Sequence, residues 1–277
     1  MGSGTLLDTI LKPGALAPVF QPIFRIRRQG RELHSLECLM RGPKGTSVER
    51  ADVLFAYVRR KREEIQVDRA CMRSALGAAA ILPFEPRISV NVHASTLGRD
   101  TGFVRYLKGL AEESGISSRR LTVEVIEHAP FWDVTGIWRA IDELRAFGMR
   151  IAVDDVGAGQ SNYNMILDCH PDALKIDAYV VRGCHADQNR VAVLESITTL
   201  AHKFGSQIIA EGIEEPADLE MLLGLGIDLI QGYMLARPMS LDSLIDSGVL
   251  LEGRYRRSPA EASGGGALGT PLVRCKA

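Results

Sequence analysis

The sequence lacks any long apolar run. No stretch approaches the roughly 20 residues that a membrane-spanning helix needs, and the first residues do not show the basic-then-apolar pattern of a secretory signal. These absences argue against a membrane or export role. There is also no excess of either charge: 33 Lys and Arg face 34 Asp and Glu, for a net charge of −1. Duplex nucleic acid and anionic membrane are therefore not expected partners, and any anionic ligand must be held by local groups. The five cysteines (Cys38, Cys71, Cys169, Cys184, Cys275) are scattered with no C-x-x-C spacing. That pattern excludes a disulfide framework or a Cys-based zinc site and suits reduced thiols in a cytoplasmic protein. The six histidines (His34, His93, His128, His170, His185, His202) show no paired ligand spacing, which leaves them surface or hydrogen-bonded core roles. Lipidation signals fail on inspection: Leu6 stands where myristoylation requires Ser or Thr, and Cys275 is third from the end where prenylation requires fourth. No Ser/His/Asp set and no dinucleotide fingerprint is legible. The run Arg59-Arg60-Lys61-Arg62-Glu63-Glu64 is mixed in sign and reads as a solvated helix face.

What the sequence does have is alternation. Apolar runs of strand length fall at residues 19–26, 33–40, 88–92, 121–125, 150–153, 173–176, 207–210 and 229–230. Between them, residues 53–60, 66–82, 103–114, 138–147, 190–204 and 217–225 carry apolar side chains at three- and four-residue steps. Gly115, Gly148, Gly205 and Gly226 each follow such a segment, where a left-handed cap favours glycine. Eight β/α units in one α/β domain predict a TIM-like barrel, although an open doubly wound sheet gives much of the same pattern. The expected organisation is a lead over residues 1–17, a barrel over 18–251 and a flexible tail over 252–277, where Arg-Arg-Ser-Pro and Ser-Gly-Gly-Gly carry no periodicity.

The polar residues discriminate between these folds. Barrel strands present their C-terminal ends to one rim, so polar residues closing successive strands converge. Here the closures are Glu37, Asn91, Glu124, Asp154-Asp155, Lys175, Glu211 and Gln231. Each acid alone is a common turn or cap residue, but seven coordinated closures are not explained that way. Five carboxylates on one rim need cations, and an all-oxygen set without clustered His or Cys favours Mg²⁺ or Mn²⁺, in a number that allows two ions. Lys175, inside the apolar run from Ala173 to Ile176, points either into a polar lumen beside metal or to an ion pair with Asp177. The glycines of Gly157-Ala158-Gly159 form either a bend or an anion-binding nest.

These residues stand within segments that resemble the EAL-domain family of cyclic di-GMP phosphodiesterases. In order they are Phe20-Gln21-Pro22-Ile23, Glu37-Cys38-Leu39-Met40-Arg41, Val90-Asn91-Val92, Glu124-Val125-Ile126-Glu127, Asp154-Asp155-Val156-Gly157-Ala158-Gly159, Pro171 to Asp177, Ala210-Glu211-Gly212-Ile213-Glu214 and Gln231-Gly232-Tyr233. The resemblance implies a barrel whose first strand is antiparallel, hydrolysis of cyclic di-GMP to linear pGpG, and a homodimer. It implies that Glu37, Asn91, Glu124 and Asp154 hold one ion and that Asp154, Asp155 and Glu211 hold the second. Lys175 and Gln231 would then act on the attacking water, with Gln231 also near the ligand. Gln21 would face a guanine edge, Arg41 a phosphate and Asp177 the substrate, while Glu127, Glu214, Gly157 and Gly159 would support the loop after strand five. The chain departs from the family pattern at Cys38, where alanine is usual, and at Val156 and Ala158, where Phe and Thr are usual. A receptor that binds cyclic di-GMP without turning it over, and a different metal-dependent barrel lyase, are the competing readings.

Overall fold

The structure, a computed structural model, describes residues 5–28, 30–126, 134–158 and 163–249. Eight strands close into a barrel in sequence order. They are β1 (Ala17–Arg27), β2 (Gly30–Arg41), β3 (Arg87–His93), β4 (Leu121–Ile126), β5 (Arg150–Val156), β6 (Ala173–Ile176), β7 (Gln207–Ala210) and β8 (Leu229–Ile230). β1 pairs antiparallel with both β2 and β8, and the remaining neighbours are parallel. The orientation of β1 follows from chain length. Arg27 pairs directly with Gly30, and a connection that short cannot hold the crossover a parallel pair requires. Pairing of β1 with β8 closes the sheet and excludes the open doubly wound alternative.

The longer covering helices are α2 (Ala51–Lys61), α3 (Glu64–Ala79), α5 (Phe103–Glu113), α6 (Val134–Ala146), α9 (Gln188–Phe204) and α10 (Pro216–Gly224). They lie where the helical periodicity placed them, with ends shifted by a few residues. Five short helices were not foreseen: α1 (Leu6–Ile10), α4 (Ala94–Arg99), α7 (Tyr163–Cys169), α8 (Ala178–Val181) and α11 (Leu241–Asp246). None is long enough to display a full apolar stripe. The expected lead folds onto the barrel, since Thr5 and Asp8 form a capping box for α1 and Ile10 and Leu16 join the core. The expected tail, 252–277, lies outside the described residues.

The main core sits between strands and helices. α5 buries Phe103, Val104, Leu107, Leu110 and Ala111, a three- and four-residue spacing that lays one face against the sheet. Each such large side chain stabilises the fold by roughly 1.5–3 kcal/mol. A second, smaller cluster of Ile23, Ala152, Ala173, Ile209 and Leu229 fills the lumen. Because side chains alternate along a strand, the next inward positions on β5 to β8 are Asp154, Lys175, Glu211 and Gln231, and on antiparallel β1 the position is Gln21. An apolar floor thus lies directly beneath a polar layer. The four described cysteines are buried free thiols, and no described helix is long and apolar enough to cross a membrane.

His34 on β2 shows what this packing costs in acid. It is half-buried, and burial together with Arg25, Arg87 and Arg150 pushes its pKa down to about 3. A depressed folded pKa means stability is fully present above the unfolded value of about 6.5 and is lost as pH falls toward 3. Urea unfolding at pH 5 should show about 1–2 kcal/mol less stability than at pH 7 from this residue. In His34→Gln that share of the pH slope should disappear.

Candidate active site

Glu37, Asn91, Glu124, Asp154, Asp155 and Lys175 lie within β2 to β6, not beyond them, while Glu211 and Gln231 directly follow β7 and β8. The site is therefore set into the barrel mouth. Register places Gln21 opposite Glu37 and Asn91 beside Glu124. β5 needs a special device, because strict alternation would send Asp154 and Asp155 to opposite faces. Pairing with β6 slips between Val153 and Val156, giving β5 one extra residue there, and Asp155 adopts φ 55°. A bulge of this kind re-aims side chains, and both aspartates line the cavity. The left-handed conformation of a non-glycine residue stores about 1–3 kcal/mol of strain. Gly157 follows at φ 98°, and a Cβ there would meet Val180 at 2.6 Å.

Lys175 is the centre of the cluster. Its Nζ lies 2.6 Å from Glu124, 2.6 Å from Glu211, 3.2 Å from Glu37 and 3.3 Å from Asp154. The lumen alternative for Lys175 is the one observed. Asp177 instead caps α8, accepting a hydrogen bond from the Tyr179 backbone N–H at 2.7 Å. The amides of Asn91 and Gln231 donate to the two oxygens of Glu37 at 2.9 and 2.7 Å. Burial acts to raise Glu37, but Lys175 and the two amides outweigh it and hold the carboxyl below its usual range. Burial wins at Glu124, Asp154 and Glu211, whose carboxyls are raised despite the lysine. Asp155 is pushed up to about 6 by burial and by its neighbours Asp154 and Asp177. Burial lowers Lys175, yet four carboxylates hold its ammonium well above the ordinary value.

The cluster opens into a cavity of about 560 Å³ lined in part by Gln21, Phe55, Arg59, His93, Arg182 and Tyr233. Gln21 is buried and donates to the Ala236 carbonyl at 3.1 Å. Arg41 donates to its neighbour's carbonyl, Met40, and is not among the lining residues. Glu214 pairs with Arg182 at 2.8 Å. Glu127 and Gly159 lie outside the described residues. Two corrections concern charged residues read as solvated. Arg59 is half-buried and lines the cavity, and Glu64 is buried, while Arg60, Lys61 and Arg62 are exposed as expected. The spacing of Asp52, Phe55 and Arg59 along α2 was the available signal, since positions three and seven residues apart share a helix face. Two of the histidines take the hydrogen-bonded roles expected of them, at separate places in the fold. His93 bonds Asp68 at 2.8 Å, and His185 bonds Asp218 at 2.7 Å.

The donor set fits a hard divalent cation. Glu37, Glu124 and Asp154 offer carboxylate oxygens that all lie within 4.8 Å of one another. Asn91 Oδ1 and Glu124 Oε1 are buried without a hydrogen bond among the described residues. Orphaned acceptors of this kind are costly unless something electropositive reaches them. The dependence of the cluster on Lys175 is testable without any ion. In metal-free protein at pH 7.5, Lys175→Met should lower stability by about 3–5 kcal/mol, the usual cost of stripping one partner from a buried ion pair. The raised carboxyls take up protons as pH falls, so the deficit measured by denaturant unfolding should shrink at pH 5.

The profile of the family described as EAL domain matches residues 5–238. Among curated proteins, the cyclic di-GMP phosphodiesterase NbdA of Pseudomonas aeruginosa is 31% identical over 158 residues, 57% of this chain and 20% of that protein. The probable cyclic di-GMP phosphodiesterase PdeA of Escherichia coli is 28% identical over 242 residues, 85% of this chain and 32% of that protein. This chain therefore spans between a fifth and a third of the length of these relatives. Among solved structures, a standalone EAL protein of Vibrio cholerae O395 in its c-di-GMP-bound form has a TM-score of 0.72 at 26% identity, covering 82% of this chain and 93% of that one. The manganese/cy-diGMP complex of Klebsiella pneumoniae BlrP1 has a TM-score of 0.72 at 26% identity, covering 83% of this chain and 57% of that one. With the family profile running from the first described residue through all eight strands, the chain belongs to the EAL domain family.

Proposed function

We propose that this barrel hydrolyses cyclic di-GMP to linear pGpG by attack of water on one phosphodiester, with Mg²⁺ or Mn²⁺ as cofactor. The observation that carries the reading is the buried carboxylate cluster with orphaned oxygens on Asn91 and Glu124 at the floor of an open cavity. The relatives named as cyclic di-GMP phosphodiesterases support the substrate. Glu37, Asn91, Glu124 and Asp154 would hold one ion, and Asp154, Asp155 and Glu211 the second. When bound, the ions supply an acidified water and neutralise charge that builds on the phosphoryl oxygens.

The chain's own residues have distinct tasks. Asn91 and Gln231 fix the rotamer of Glu37, so its oxygens are set before any ligand arrives. Lys175 holds the attacking water in line through an N–H hydrogen bond and balances the carboxylates. Gln21, opposite Glu37, presents its amide to a guanine edge. The bulge in β5 keeps both aspartates on the same cavity wall. The same reading carries a homodimer in the cytoplasm, which light scattering on the purified protein checks for assembly.

Turnover tests the proposal directly. Purified protein with Mn²⁺ or Mg²⁺ should convert cyclic di-GMP to pGpG, and chelation followed by metal addition should abolish and restore the reaction. Glu37→Gln should lower kcat by about a hundredfold or more, as loss of a group acting on transition-state charge does. Tight binding of cyclic di-GMP with no pGpG under either metal would overturn the hydrolase reading in favour of a receptor.

A further inference from the structure

α2 presents one face to the cavity. Phe55 and Arg59, one helical turn apart, both line it. The Phe55 ring packs against His93 with centroids 5.6 Å apart. His93 is fixed in turn by Asp68, which accepts from its backbone N–H at 3.1 Å and meets its Nδ1 at 2.8 Å. The wall that carries Arg59 is therefore braced.

The other cations of the cavity are already engaged. Lys175 is held by four carboxylates, and Arg182 donates to the Gly212 carbonyl at 3.1 Å and pairs with Glu214. The Arg59 guanidinium makes no hydrogen bond or ion pair among the described residues, although Glu64 and Asp155 act on its charge through space. A half-buried guanidinium without a partner has lost hydration and gained no contact in return. An anion delivered by the ligand would supply one.

A cyclic dinucleotide carries two phosphodiesters, and the carboxylate cluster serves the one that is cleaved. We propose that Arg59 binds the second, non-reacting phosphodiester and so selects cyclic dinucleotides over diesters with a single phosphate. This inference rests on the proposed activity and assigns its substrate discrimination. Guanidinium–phosphate hydrogen bonding remote from the reacting bond contributes to ground state and transition state alike, so its loss appears mainly in KM.

The test compares Arg59→Ala and Arg59→Lys with the unaltered full chain in Mn²⁺, using cyclic di-GMP and bis(4-nitrophenyl) phosphate. Arg59→Ala should raise KM for cyclic di-GMP by about tenfold to a hundredfold with kcat within about threefold, and Arg59→Lys should recover part of the loss. The loss in kcat/KM should be about tenfold or more greater than on the single-phosphate diester. Equal losses on both substrates, a fall in kcat alone, or no change would each overturn the assignment. Calorimetric binding separates the two levels of the argument. If the unaltered chain does not bind cyclic di-GMP, the proposed activity fails and takes this inference with it. If the unaltered chain binds but does not cleave, a matching rise in Kd for Arg59→Ala upholds the role of Arg59, and an unchanged Kd refutes it alone.

Discussion

One buried ammonium group holds the carboxylate cluster of this barrel together. Three of the carboxylates around Lys175 have oxygens within 4.8 Å of one another, and at an effective dielectric of about 20 each such uncompensated pair costs roughly 3 kcal/mol. Lys175 lies closer to every one of them than that. Its attraction therefore offsets repulsion that would otherwise push β2, β4, β5 and β7 apart. The requirement runs in both directions, because a lysine this deeply buried has lost most of its hydration and depends on the same acids to remain charged. Barrel closure and site assembly are thus one condition: five strands must meet before either the lysine or the acids are tolerable.

Two local features convert that condition into a chemical surface. The apolar floor of Ile23, Ala152, Ala173, Ile209 and Leu229 lies two residues along each strand from the polar layer, so the same alternation that packs the lumen also aims the site. The β5 bulge breaks alternation at one place and lets two consecutive aspartates serve the same wall. Its strain at Asp155 is supported by Gly157, which no larger residue can replace without meeting Val180.

Much of this was legible in the sequence because strands and long helices have periods that a chain displays openly. The polar closures were equally visible, since Glu37, Asn91, Glu124, Asp154, Lys175, Glu211 and Gln231 each follow apolar residues in the sequence, although the first five lie inside their strands. Short elements such as α4 and α8 were not, because they carry no stripe of their own: α8 is capped by Asp177, and α4 is held by packing on β3, α3 and α6. Asp177 is an example: its place in a motif suggested a ligand contact, and its carboxylate has the further task of capping four residues of helix. Arg59 was misread. Surrounded in sequence by Arg60, Lys61 and Arg62, it looked like one more solvated charge, and only the packing of α2 beside the barrel mouth separates it from them.

The floor of the lumen also governs traffic. With apolar side chains filling the barrel beneath the polar layer, the described residues offer a charged group no polar way downward, and the open side is the cavity above. Whatever occupies the upper layer must depart through the opening by which it came.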